Sequence, residues 1–303
     1  MFTESSRSLR GLAVLAPGLL LLATPWLLAP WPVGTDLPQH AAQIQLLGRA
    51  VGDPSLAIAW FSPNSLVYWV LAPAIWLFGP VAGTKVLSWA LVAAAAVLGG
   101  VLCRARGAPV ELTLLATIFC FNASLYWGFL PFQLGWVAFL GWLVAMLSPR
   151  DNDRSQLLLV AALSLVVLWS HSLWFAAAGA AGIAITLARP SLWKQRLTRG
   201  AAAAPAAIAA GWWAPQIVEK RLAHGFDVEA RWLVLGADRF TVEFFGGGAL
   251  GNVPGNYVQV VGGLCVAALL LLASTRSTPD ERGADRELLA IAALMLLAFA
   301  TLP

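Results

Sequence analysis

The sequence predicts an all-α protein, a polytopic bundle of about nine to ten membrane segments with interfacial helices in its first outer loop. Three observations predict it. The chain of 303 residues is 59% hydrophobic and only 11% charged, so lipid is the medium for most of its surface. Its apolar residues gather into runs close to the ~20 residues that span a ~30 Å hydrocarbon layer. Its basic residues fall in short stretches between those runs, as they do in loops retained on the cytoplasmic side.

The runs are 11–30, 83–102, 131–148, 201–217, 256–273 and 288–302, with further candidates at 65–79, 109–126 and 156–188. Arg7 and Arg10 precede the first run. It is too long for the apolar part of a secretory leader, and Leu28-Ala29-Pro30 makes a poor cleavage site, so it reads as a retained anchor with a cytoplasmic N-terminus. Residues 64–102 read as two short helices joined at Phe78-Gly79-Pro80; either one half does not cross, or Arg104 and Arg106 face outward. The stretch 156–188 would be about 50 Å long as one helix, too long for an untilted crossing. Two helices meeting near His171 fit it better.

Placing the basic stretches at Arg7/Arg10, Arg104/Arg106, Arg150/Arg154, Arg189–Arg199 and Arg276–Arg286 inside leaves 31–64, 127–131, 169–172 and 218–255 outside. Within 31–64, residues 39–51 put Ile44, Leu47 and Val51 on one helical face and Gln39, Gln43 and Arg49 elsewhere, the pattern of a short helix at a membrane surface. The segment 218–255 carries most of the mid-chain charge. The 15 tryptophans, many near run ends, read as interface belts.

Several functions are excluded by absence of pattern. No phosphate-binding loop, zinc-protease helix or Cys-x-x-Cys occurs, and Gly246–Gly248 reads as loop. The net charge of +4 is spread over short loops and is no nucleic-acid signal. Cys103, Cys120 and Cys265 lie in or beside apolar runs without metal spacing and read as structural.

Chemistry is sought first at Asp36 and His40 in TDLPQH, just beyond the first run, because ionisable groups near a bilayer are costly. If a helix starts near Asp36, the i,i+4 spacing puts both on one face. A carboxylate at a low-dielectric interface can be tuned into a general base; equally, Asp36 can simply cap a short helix beginning near Pro38. His171 is the only ionisable side chain inside its apolar stretch, and reads either as a site residue near the outer surface or as a histidine satisfied by a carbonyl. Gln133 and Asn122 flank the turn WGFLP, with helix–helix hydrogen bonding as their default. Arg231, Arg239 and His224 of the late outer loop could hold a phosphate or its sugar.

The segments TDLPQHAAQIQLLGRA and SPNSLVYWVLAPAIWLFGPVAGTKVLSWALVAA, followed by RPSLWKQRLTRG, a helix ending WWAP and a long charged loop, resemble the polyprenol-dependent GT-C glycosyltransferases. That superfamily contains the protein O-mannosyltransferases and the lipid A aminoarabinose transferases. Pro63, Tyr68, Phe78-Gly79 and Lys85 occupy comparable places. The resemblance implies a sugar carried on a polyprenyl phosphate, a lipid, glycan or protein acceptor, and residence in a bacterial inner (plasma) membrane among membrane lipids. It also implies Asp36 as base with His40 beside it, and Arg231 and Arg239 on the departing phosphate. Leu37 stands where many members carry a second acid, which leaves a divalent metal open. Members are commonly longer, so a C-terminal part beyond this single integral-membrane domain of residues 1–303 is expected. A lipid or polysaccharide transporter or flippase, and a non-enzymatic membrane subunit, remain the rival readings.

Overall fold

The computed structural model describes residues 24, 28–30, 36–50, 52–53, 61–105, 125, 128–148 and 150–223. All regular structure among them is helical: α1 (Leu37–Ala50), α2 (Leu66–Ala105), α3 (Leu130–Leu147), α4 (Arg154–Ser170), α5 (Ser172–Ala188), a 3-10 turn (Pro190–Leu192), α6 (Trp193–Ala201) and α7 (Ala204–Ala223). Two of these, α2 and α3, are long and apolar enough to cross a membrane, and α5 with the segment after it makes a third if that pair, bent by 108°, counts as one span. Large apolar side chains lie exposed on these helices, among them Trp76, Leu77, Ile183 and Leu187, as expected of surfaces that face lipid.

α2 is two helices. Gly79 has φ 80° and ψ 168°, a region essentially reserved for glycine, and Pro80 suits the first turn of the next helix. A Cβ on Gly83 would lie 2.7 Å from the Ala74 carbonyl oxygen. Residues nine apart in a straight helix are over ~13 Å apart, so the chain has doubled back into a hairpin. The expected joint at Phe78-Gly79-Pro80 is therefore present. The first limb, 66–78, is roughly 20 Å long and the second, 80–105, roughly 39 Å; only the second has the length to cross. Gly79→Ala is expected to lose about 1–3 kcal/mol, read as a lower melting temperature in detergent. Gly179→Ala in α5, where a Cβ meets nothing within 4 Å, is the matched control and should melt no lower than wild type.

The break expected near His171 also occurs: α4 ends at Ser170 and α5 begins at Ser172. α7 departs from expectation. It holds 204–217 of the apolar run 201–217, but Glu219, Lys220 and Arg221 close the same helix, so it is not apolar through a full span.

Contacts divide the chain into two compact units, one of Met1–Val144 with Trp169–His171, the other of Ala145–Leu168 and Ser172–Pro303. In the first, α1 lies on the α2 hairpin. Leu37, Ala41 and Ile44 pack with Val67, Leu71, Ala72 and Ile75 of the first limb, Leu87 and Leu91 of the second, and Leu130 at the head of α3. Leu47 joins at the edge, so two of the three residues put on one face by periodicity, Ile44 and Leu47, pack here, and the third, Val51, lies outside the described residues. Lys85 reaches from the second limb to donate to the Ala29 carbonyl.

The second unit contains a correction. The basic segment 189–199 is not loop but the 3-10 turn followed by α6, and two of its arginines are interior: Arg196 is 3% and Arg199 0% exposed. Arg199 Nε donates to Asn152 Oδ1 at 2.8 Å, and Nη1 to the carbonyls of Ala145 (3.2 Å), Met146 (2.8 Å) and Ser148 (2.8 Å). Nη2 donates to the Arg150 carbonyl. The last carbonyls of a helix have no partner within it; here one guanidinium, with Gln156 Nε2 on Ala145 (2.7 Å), supplies donors to the end of α3. Asp153 opens α4, accepting from the Gln156 N–H at 2.7 Å and the Ser155 hydroxyl at 2.8 Å. Those two bonds, that N–H first, hold its carboxyl below the usual carboxylate range.

Candidate functional site

Asp36 stands at the N-cap of α1: its carbonyl accepts from the His40 N–H at 3.0 Å, the first bond of the helix, and Pro38 falls in the first turn, where a missing N–H costs nothing. Helical geometry then lines up Asp36, His40 and Gln43 at i, i+4 and i+7. Tyr68, near the start of α2, reaches this stripe. His40 Nδ1 and the Tyr68 hydroxyl are 3.0 Å apart, and the hydroxyl donates to Gln43 Oε1. The two rings lie 5.6 Å apart at 54°. Burial is graded along the stripe: His40 is only 8% exposed, Asp36 is half-buried and Gln43 is exposed. Ile44, one turn on from His40, is buried on the same side.

Gly128, from the turn WGFLP, closes the head of α1. Its φ is +78°, and a Cβ there would sit 3.0 Å from the Leu37 amide nitrogen and 3.2 Å from that of Asp36. Glycine is needed twice over, for the left-handed backbone and for the close approach. Two segments expected to share one side, 31–64 and 127–131, thus touch. A third joins them within the same unit. Trp169 Nε1 donates to Ser65 Oγ at 2.6 Å beside the start of α2, and the His171 ring meets Phe132 edge-on at 5.3 Å. Gln133, 2% exposed, lies in the first turn of α3. Four of the expected site residues, Asp36, His40, Gln133 and His171, therefore belong to one unit, with Asp36 and His40 in one cluster. His224, Arg231 and Arg239 fall outside the described residues.

Burial pushes the His40 imidazole below its ordinary value of 6.5; the Asp36 carboxylate, Gln43 and the Gly128 backbone pull the other way and are outweighed. Nε2 is buried without a hydrogen-bond partner among the described residues, so Gly128 acts on the ring without good bonding geometry at that atom. A basic group whose folded value is depressed binds fewer protons folded than unfolded below 6.5, so stability is full above 6.5 and declines as pH falls through the folded value. The wild type is therefore expected to lose melting temperature as the pH falls below 6.5 more steeply than His40→Gln. Parallel melting curves in detergent at stepped pH check this.

Sequence reasoning missed two partners, Gln43 and Tyr68. The available signal was a polar stripe at i, i+4 and i+7 on a helix whose adjacent positions are apolar. Among the described residues no three His, Cys, Asp or Glu side chains group closely enough to hold a metal ion. Two open grooves, of about 490 and 380 Å³, lie in the second unit and take in neither Asp36 nor His40.

Fold and site together define a class: an all-α chain with helices long and apolar enough to cross a membrane, and a half-buried carboxylate heading a short helix beside a buried histidine. Compared with protein-family models, curated proteins and solved structures, the chain has no match in any of the three.

Proposed function

We propose that this chain is a membrane glycosyltransferase that moves a sugar from a polyprenyl-phosphate carrier to an acceptor hydroxyl at the outer face of a bacterial inner membrane. The observation that carries the reading is the 3.0 Å approach of His40 Nδ1 to the Tyr68 hydroxyl. The two segments on which the GT-C resemblance rests, TDLPQH and SPNSLVYW, are separate in sequence and meet at that bond, with the carboxylate at the head of α1 beside it. A protein using Asp36 only as a cap has no need of a buried histidine tied to a tyrosine one turn away.

In this reading the acceptor oxygen attacks the anomeric carbon while Asp36 takes its proton. The bond from that carbon to the phosphate oxygen breaks, and the polyprenyl phosphate leaves with the electron pair. Arg231 and Arg239 neutralise the leaving phosphate, the electrostatic share of catalysis, with His224, His171 and Gln133 on the substrate. The test is transfer of label from a panel of polyprenyl-phosphate sugars in membranes containing the wild type or Asp36→Asn. Absence of transfer by the wild type with every donor ends the proposal.

A further inference from the structure

We infer that Gln43 and Tyr68 are positioning residues of this site, which hold the neutral His40 ring beside Asp36 in the tautomer protonated at Nδ1. The direction of the hydrogen bonds fixes the tautomer. Tyr68 has one hydroxyl proton, and it is given to Gln43 Oε1. The Tyr68 oxygen can then only accept from His40 Nδ1, 3.0 Å away, so Nδ1 carries the hydrogen. In a neutral ring the other nitrogen is then a bare lone pair, and Nε2 is the buried atom without a partner. A lone pair left unpaired in a buried place costs less than an unpaired N–H that carries the ring's positive charge.

The groups that face the ring come from three elements: Asp36 and Gln43 from α1, Tyr68 from α2, and the Gly128 backbone ahead of α3. Of these, Asp36 and Tyr68 are the titratable ones. Gln43 is exposed and His40 is not, so the chain of bonds runs from the surface inward and anchors the ring from outside. The consequence for catalysis rests on the glycosyl-transfer reading. A neutral ring leaves the Asp36 carboxylate open to the acceptor hydroxyl, whereas an imidazolium one turn away pairs with it and holds it off. Transfer then declines in acid as His40 charges.

The tautomer can be tested without any activity. The chain has three histidines, so the ring nitrogens of the ¹⁵N-histidine-labelled protein in detergent can be assigned with His40→Gln. At neutral pH the His40 signals should report hydrogen on Nδ1 and none on Nε2. Tyr68→Phe should shift the population toward the Nε2-protonated form and lower the titration midpoint, because the charged ring loses the oxygen that accepts its Nδ1–H. Gln43→Ala, at an exposed position, should move both in the same sense and serves if Tyr68→Phe folds poorly. An Nε2-protonated ring in the wild type would mean that Gln43 presents its amide nitrogen to Tyr68, and it overturns the inference. So does a tautomer indifferent to both substitutions. Absence of transfer by the wild type with every donor would strike the enzymatic reading and leave the tautomer result standing. In an active preparation, Tyr68→Phe should move the acid limb of the transfer rate to lower pH; a fall in rate with the limb unmoved would reduce Tyr68 to a structural role.

Discussion

Transfer by Asp36→Asn is expected to fall by about 10²–10⁴-fold, the usual share of a general base, while its melting temperature stays at the wild-type value. The substitution suits this position because of where Asp36 sits. It occupies the N-cap of α1, with its carbonyl already bonded to the His40 N–H at 3.0 Å, and asparagine caps a helix about as well as aspartate. The amide keeps the size and polarity of the carboxylate and loses only the capacity to take a proton. A loss of rate in a well-folded variant is therefore a loss of chemistry. Initial rates with labelled polyprenyl-phosphate sugar, beside melting curves of the same preparations, separate the two roles. Near-normal transfer would leave Asp36 as a cap and remove it from the mechanism.

The largest effect on stability is expected at Arg199, in the second unit. Arg199→Met keeps much of the apolar stem and removes the guanidinium, which leaves the Ala145, Met146, Ser148 and Arg150 carbonyls and Asn152 Oδ1 without its donors. Some find other partners: Gln156 still reaches Ala145 at 2.7 Å, and Gln195 Nε2 reaches the Arg150 carbonyl at 2.9 Å. The other three, the Met146 and Ser148 carbonyls and Asn152 Oδ1, lose that donor, at about 1–3 kcal/mol each when buried, so a loss of roughly 3–5 kcal/mol is expected. Arg199→Lys supplies a charge but not the planar fork, and should fall between. Melting in detergent reads the order wild type, Lys, Met. A Met variant that melts with the wild type would show that the end of α3 does not depend on this cap.

Much of the helical plan was legible because its causes are local. Glycine before proline at 79–80 breaks a helix wherever it occurs, and the excess length of 156–188 called for a break that falls at His171. The apolar period of 39–51 put Ile44 and Leu47 on one face of α1, read as a helix at a membrane surface, and in the structure that face packs on α2. The pairing of Asp36 with His40 was likewise visible as an i,i+4 spacing. The basic stretch 189–199 shows where such reasoning stops. Charge counting sees four cations in a row of polar residues and assigns them to water, yet Arg199 is wholly buried.

The sequence by itself thus determined the helical class, the apolar medium, the two breaks and the stripe that carries Asp36 and His40. Tertiary structure alone decided which polar groups are interior and what they touch. Tyr68 lies 28 residues from His40, and Arg199 lies 47 to 54 residues from the groups it bonds. No periodicity or propensity links positions so far apart. Their hydrogen bonds exist because the Gly79 turn, the close pass of Gly128 over the head of α1, and the return of α6 to the end of α3 bring backbone and side chains within reach, and because a buried donor or acceptor must then be matched.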